Sequence, residues 1–146
     1  MLEYREINLS MLPQLSRLFA ETFNAAPWKE NWSQETAAKR LHQIITTEDF
    51  FGLGVYENGE LCGMIMGCKE QYDERMIFQA REFCIRNTMQ GRGLGTEIYR
   101  HLEEELKKQG IHRIFLYTIQ DKMTEKFYEK QGFKRSPDLM LMEKEM

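Results

Sequence analysis

The stretch that decides the fold is IRNTMQGRGLG, residues 85–95. It joins an apolar, strand-like run to a helical pattern that begins at Leu94 and ends near Gly110. Glycines alternate at positions 91, 93 and 95, so the main chain can turn tightly and approach a ligand closely. Amides at a helix N-terminus lack partners within the helix and carry the positive end of its dipole. The stretch is therefore suited to an anion such as pyrophosphate.

Two familiar phosphate-binding loops do not fit this stretch. A P-loop needs the pattern GxxxxGK followed by Ser or Thr, and the dinucleotide fingerprint needs GxGxxG. Here the glycines alternate and no lysine follows them. On composition alone, a glycine-rich tight connection that binds no ligand is an equally open interpretation.

Length and charge exclude several classes of protein. A chain of 146 residues with no evident linker or repeat is long enough for one core and short for two, so we predict one domain over residues 1–146. The formal net charge of −3 argues against a protein that coats nucleic acid. No apolar window approaches the about 20 residues of a membrane helix, and the N-terminal residues do not resemble a secretory signal. We expect a soluble, cytoplasmic protein.

The cysteines and histidines do not signal a metal site. Cys62, Cys68 and Cys84 are odd in number, lie in apolar runs and lack CxxC spacing. The three histidines are scattered, without spacing typical of metal ligands. We expect buried, reduced thiols and no metal. No cysteine lies in a nucleophile motif with a base.

The periodicity of the chain predicts strands and helices in a definite order. A strand at 2–7 precedes a helix capped by Ser10, and Ser33 caps a second helix after a loop that holds two tryptophans. Strands at 51–57, 60–71 and 76–86 follow as an antiparallel meander, with Asn58-Gly59 as the first hairpin turn. After the glycine-rich stretch and its helix come a strand at 112–119, a short helix at 124–131, and final strands at 133–135 and 139–143.

Two blocks of this chain resemble the GCN5-related N-acetyltransferase (GNAT) superfamily. Residues 85–95 look like that family's acetyl-CoA signature, and FYEKQGF at 127–133 is similar to its second block. The resemblance implies an α/β fold with a mixed, mostly antiparallel sheet of six to seven strands, flanked by about four helices. It also implies a splayed, V-shaped opening between the strand that ends near Arg86 and the strand that begins near His112.

The resemblance further implies which residues hold acetyl-CoA. Main-chain groups of Ile85 and Arg86 would bind the pantetheine arm, and Tyr128 would lie beside the thioester sulfur. The residues that would cradle the pyrophosphate are Gln90, Gly91, Arg92, Gly93, Leu94, Gly95 and Thr96. Coenzyme A would be the product.

Three residues are candidates for the chemistry of acetyl transfer to an amine. Tyr128 matches the family's general acid, and a tyrosine hydroxyl is protonated at neutral pH. Glu82, on an otherwise apolar strand, is the candidate general base, directly or through water, because apolar neighbours raise a carboxyl pKa; a surface-facing glutamate is the alternative. Asp121 occupies the position of a family asparagine, and it is either a functional residue or a helix cap. Transfer would be direct, without an acetylated enzyme.

The acceptor side is less specific. Trp28, Trp32 and Phe23 would form an aromatic wall for the substrate, or they are core packing. Glu82 would also contact the substrate. The acceptor would be a primary amine of a small molecule or peptide. A non-catalytic acyl-CoA-binding module and a nucleotide-binding regulator are the rival hypotheses. Apolar residues near the C-terminus, at 139–142, are compatible with a homodimer.

Overall fold

The computed structural model describes residues 1–146 and divides into two compact units, Met1–Phe115 and Leu116–Met146. The first unit contains the sheet and three helices, and the second contains one helix. The single domain over 1–146 stays a prediction.

One five-stranded sheet organises the first unit. Its strands are β1 (Leu2–Glu6), β2 (Phe50–Glu57), β3 (Glu60–Tyr72), β4 (Arg75–Ile85) and β5 (Arg113–Phe115). They lie side by side in chain order; β1 to β4 are antiparallel, and β5 is parallel to β4. The predicted meander is confirmed. The parallel pairing follows from the helix α3 (Leu94–Lys108) between β4 and β5, because a parallel neighbour needs a crossover connection.

The β2–β3 hairpin turns at the predicted dipeptide. Asn58 has φ 52° and Gly59 has φ 80°, as a two-residue type I′ turn requires. Glycine takes this left-handed conformation without a steric cost, and asparagine tolerates it better than most residues.

Two helices pack together before the meander, α1 (Leu12–Asn24) and α2 (Gln34–Ile45). Ser33 caps α2 as predicted, since its hydroxyl accepts a 3.0 Å hydrogen bond from the amide of Thr36. The prediction that Ser10 caps α1 is wrong. Ser10 lies inside a 3₁₀ turn whose own cap is Asn8, and α1 begins after Met11.

The sheet has a core on each face. Leu15 of α1, Leu41 of α2 and Met64 of β3 are fully buried in one hydrophobic cluster. Because side chains alternate along a strand, Gly63 faces the other side, where a methyl group on it would lie 3.3 Å from Cδ1 of Ile98 in α3. The helices α1 and α2 therefore cover one face, and α3 covers the other.

A β-bulge interrupts the β3–β4 ladder. Met66 lies opposite Glu82 and Gly67 lies opposite Ala80, so Arg81 is an extra residue on β4. Such a bulge reorients the side chains that follow it. It places Glu82 across from Met66, which belongs to the cluster under α1 and α2.

In the second unit, α4 (Lys122–Lys130) agrees with the predicted short helix. The strands predicted at 133–135 and 139–143 are irregular, and the strand predicted at 112–119 is limited to β5. The sheet therefore has five strands rather than six to seven, within the predicted fold class. A strand needs a ladder partner for its main chain, and the side chains at 139–142 are instead 65–81% exposed.

Candidate functional site

The glycine-rich stretch begins in a turn that is held by its own residues. After β4, residues Asn87–Met89 form a 3₁₀ turn, and the side chain of Met89 is buried. The side-chain amide of Gln90 donates to the carbonyl of Ile85 at 3.1 Å. A hydrogen bond from a side chain to the main chain therefore holds the turn after β4, just before the glycines begin.

Two glycines adopt the left-handed conformation, Gly91 with φ 79° and Gly93 with φ 77°. A methyl group on either would meet no atom within 4 Å, so both border open space. Gly93 is the N-cap of α3 and makes no side-chain cap bond. Leu94, Gly95 and Thr96 form the first turn of α3, whose amides point out of the helix end.

The residues flanking this loop are partly engaged elsewhere. The amide of Arg86 donates to the carbonyl of Cys62 at 2.7 Å, and its carbonyl accepts from Met89 at 2.9 Å. Its guanidinium contacts the carbonyl of Leu61 and lies 3.4 Å from a carboxylate oxygen of Glu60. Arg92 is exposed in the loop.

The first unit leaves an open edge on β4. The β4–β5 ladder ends at the pair Gln79–Phe115, whereas the β3–β4 ladder continues to Ile85. Apart from the bulged Arg81, residues 80–85 of β4 therefore have a ladder partner on one side only. This edge leads directly into the glycine loop.

Glu82 belongs to this open edge of β4, and its side chain lies under α2. Its side chain is 12% exposed, and its Oε2 lies 2.8 Å from Nε of Arg40. Burial raises the pKa of the Glu82 carboxyl above its ordinary value, although Arg40 and Arg81 lower it. Glu30 adds a smaller upward effect. A raised pKa suits a group that must accept a proton near neutral pH.

The two tryptophans extend a chain of aromatic rings from the core. Trp28 packs edge-on against Phe23 at 5.0 Å between centroids, and Trp32 packs against Phe19 at 4.8 Å. The indole N–H of Trp32 donates to Glu30 at 2.8 Å. Both tryptophans are half-buried, so they combine packing against the core with an exposed edge.

Cys84 lies two residues after Glu82 and is buried. Burial, followed by the nearby Glu82 carboxylate, raises the pKa of its thiol well above the ordinary range. Burial also raises the pKa values of Cys62 and Cys68. Thiols with raised pKa values are poor nucleophiles because the thiolate is the reactive form.

Tyr128 lies on α4 in the second unit. Its ring packs edge-on against Phe127 at 5.1 Å and Phe133 at 5.5 Å between centroids. It lines a cavity of about 250 Å³ that the segment 116–120 and residues near the end of α4 also border. The tyrosine is therefore fixed by aromatic neighbours at the wall of a cavity.

Asp121 is the N-cap of α4. Its Oδ2 accepts hydrogen bonds from the amide of Thr124 at 3.0 Å and from the hydroxyl of Thr124 at 2.9 Å. This is the capping interpretation that the sequence left open.

The structure adds Arg40, which the sequence analysis did not select, and it places Glu30, one of several acidic residues that would suit a cationic amine, near Glu82. Both reach Glu82 through the fold, from α2 and from the α1–α2 connection. No local pattern marks them, because they lie more than 40 positions from their partner in the chain. Among the described residues, no group of three or more His, Cys, Asp or Glu side chains is arranged to hold a metal ion. None of the helices has the length and apolar character to cross a membrane.

Comparisons with known proteins identify the family. The model of the acetyltransferase (GNAT) family matches residues 12–133. The chain therefore belongs to this family, whose members are acetyltransferases. A comparison with curated proteins finds no match.

Solved structures share the fold at low sequence identity. A possible acetyltransferase from Clostridium difficile 630 has a TM-score of 0.83 at 12% identity, covering 100% of this chain and 99% of that chain. An aminoglycoside acetyltransferase from an uncultured soil metagenomic sample has a TM-score of 0.73 at 17% identity, with 100% and 99% covered. A GNAT family acetyltransferase from Staphylococcus aureus has a TM-score of 0.74 at 17% identity, with 97% and 98% covered. At such identities the likeness shows the fold alone.

Proposed function

We propose that this protein transfers an acetyl group from acetyl-CoA directly to a primary amine. The observation that carries the proposal is the loop at the start of α3, where Gly91 and Gly93 are left-handed and border open space. In a member of the GNAT family, a loop of this shape suits the pyrophosphate of coenzyme A. The residues that would hold it are Gln90, Gly91, Arg92, Gly93, Leu94, Gly95 and Thr96.

The open edge of β4 supports a site for the pantetheine arm beside that loop. An extended ligand can pair with an unpartnered strand edge through main-chain hydrogen bonds. Ile85 is the last residue of that edge, and its carbonyl accepts from the side chain of Gln90. Arg86, which follows it, uses both its amide and its carbonyl within the chain. We therefore expect Ile85 and the residues before it to contribute more to the arm than Arg86 does.

Glu82 is the proposed proton acceptor. An amine with a pKa of about 10 is almost entirely protonated at neutral pH, and its nitrogen can attack only after it loses a proton. The carboxylate of Glu82 takes that proton at one oxygen, directly or through water. Its raised pKa brings its basicity closer to that of the amine.

Tyr128 is the proposed proton donor, on the strength of the family motif at 127–133. Acetyl-CoA supplies the acetyl thioester, whose C–S bond breaks as the new C–N bond forms. The hydroxyl of Tyr128 gives its proton to the departing sulfur. An ammonium acceptor releases two protons, so one restores the tyrosine and the other leaves to solvent through Glu82. Asp121 would contribute by capping the N-terminus of α4, the helix that carries Tyr128.

The buried environment of the cysteines supports direct transfer. Cys84 is on the same face as Glu82, but its raised pKa keeps it protonated. A thiol in that state does not compete with the amine for the acetyl group.

The acceptor class is proposed from the surroundings of Glu82. Trp28 and Trp32 offer exposed aromatic edges, and Glu30 adds a carboxylate beside them. Aromatic faces and carboxylates together favour a cationic small molecule or a peptide amine.

Apolar side chains exposed at 139–142 support a homodimer. Light scattering at micromolar concentrations tests this oligomeric state.

The decisive experiment is a calorimetric titration with acetyl-CoA, coenzyme A and ATP, followed by a screen of amines for thiol release. Micromolar binding of both coenzyme A forms, without binding of ATP, is the expected result. Equal competition by ATP would instead indicate a nucleotide-binding regulator. Binding without thiol release from any amine would indicate a non-catalytic acyl-CoA-binding module.

A further inference from the structure

The ion pair between α2 and β4 joins residues 42 positions apart in the chain. Nε of Arg40 donates to Oε2 of Glu82 at 2.8 Å, and the two side chains are 37% and 12% exposed. Exposed pairs of this kind contribute little because water screens them. This pair differs because the carboxylate is mostly withdrawn from water, where an unpaired charge is costly.

The charged groups around Glu82 come from three parts of the first unit. Arg40 approaches from α2, Glu30 from the α1–α2 connection, and Arg81 is the adjacent bulged residue on β4. Cys84 lies two positions further along the same strand face. Of these groups, Arg40 makes the hydrogen bond to the carboxylate.

We propose that Arg40 is a positioning residue for Glu82: it holds Oε2 from α2, so that Oε1 is oriented to receive the proton of the acceptor amine. This inference rests on the proposed function, in which Glu82 is the base. The bond uses Nε and Oε2, and Oε1 takes no part in it. Arg40 thus fixes the carboxylate while one oxygen stays available.

The pair also favours the ionised form of the Glu82 carboxyl. Burial raises the pKa of Glu82, and the charge and hydrogen bond of Arg40 oppose that rise. Without Arg40 the pKa rises further, so a smaller fraction of the carboxyl is ionised at a given pH. At pH values below the pKa, a tenfold weaker acid has an ionised fraction about tenfold smaller. The acid limb of the pH profile therefore moves to higher pH, and activity recovers once the pH exceeds the new pKa.

The test compares Arg40→Met, Arg40→Lys and the neighbouring control Lys39→Met. Lys39 is an exposed cation on the same helix, so its replacement removes a charge from α2 without touching Glu82. For Arg40→Met we expect a loss of about tenfold in kcat/KM on the acid limb of the profile, with recovery at higher pH. Arg40→Lys should shift the limb less because it keeps the charge but not the planar donor. Lys39→Met should leave the profile unchanged.

A second measurement does not depend on turnover. The carboxyl carbon of Glu82, labelled with carbon-13 and assigned by loss of its signal in Glu82→Gln, is titrated by NMR in the wild type and in Arg40→Met. The midpoint should move to higher pH in the variant. An unchanged midpoint, or an equal loss of kcat/KM at every pH, would overturn the inference. Failure of the proposed function would appear differently, as a wild type that releases no thiol with any amine.

Discussion

Replacement of Gly93 by alanine tests the coenzyme site through a matched pair of glycines on one helix. Gly93 stands at the N-terminus of α3 with φ 77°, and Gly110 follows its C-terminus with φ 78°. A methyl group on either meets no atom within 4 Å. The two substitutions therefore impose the same backbone strain and no clash, and they differ only in which end of α3 they alter.

The expected loss of stability is the same for both variants. Forcing a side chain into the left-handed conformation costs about 1–2 kcal/mol. For a chain of this size, each kcal/mol lowers the melting temperature by about 2–4 °C. Gly93→Ala and Gly110→Ala should therefore melt about 2–8 °C below the wild type, which scanning calorimetry measures.

Affinity for coenzyme A should separate the two variants. A methyl group on Gly93 would occupy the open space in which we place the pyrophosphate, so the Kd for coenzyme A should rise at least about tenfold, equivalent to about 1.4 kcal/mol. Gly110→Ala should bind as the wild type does. If both variants lose affinity equally, the loss follows from general strain. If Gly93→Ala melts lower but binds normally, the anion does not lie against this loop.

Three further substitutions and one control variant test the chemistry and the sheet. Tyr128→Phe should lower turnover at least about tenfold with the Kd for coenzyme A unchanged in calorimetry; unaltered turnover would remove Tyr128 as the proton donor. Cys84→Ala should keep turnover in the thiol-release assay while losing about 1 kcal/mol of stability to denaturant, as small deletions in a core do; complete loss of turnover would reopen a covalent route. Gly67→Ala would place a methyl carbon 2.0 Å from the carbonyl oxygen of Gln79, so it should lower the free energy of unfolding by about 3 kcal/mol or more. In the control Gly59→Ala, the methyl group meets no atom within 4 Å, so the only cost should be the strain of a left-handed alanine.

Local signals account for what the sequence predicts well. The Asn58-Gly59 turn, the Ser33 cap and the glycine loop each depend on a few neighbouring residues, and the structure contains all three. The order of strands in the meander follows from short connections, which allow only antiparallel neighbours. The glycine loop belongs to this class of signal because its conformation arises within residues 85–95.

Signals that compete, or that need a distant partner, account for the differences. Ahead of α1, Asn8 and Ser10 are both acceptable cap residues. Asn8 caps the 3₁₀ turn at 9–11 by accepting a hydrogen bond from the amide of Ser10 at 2.9 Å, and α1 begins after Met11 without a side-chain cap. Residues 139–143 have an apolar composition typical of a strand, but pattern alone does not supply the ladder partner that a strand requires. The composition of this segment therefore predicts that it can form a strand, but not that it pairs with a neighbouring strand.

Glu82 shows the same limit at the candidate site. A strictly alternating strand leaves open whether this glutamate faces solvent or core, and the bulge at Arg81 shifts the register and places it opposite Met66. Gly67 is the single local sign of this bulge, since a methyl group there would collide with β4. Arg40, which bonds the carboxylate, comes from a helix 42 residues earlier. The loop that we propose for anion binding thus depends on neighbouring residues in the sequence. The surroundings of Glu82, the proposed proton acceptor, form only once α2 packs on the bulged strand. For that reason a motif can identify the family, but the ionisation of the proposed base must be read from the folded chain.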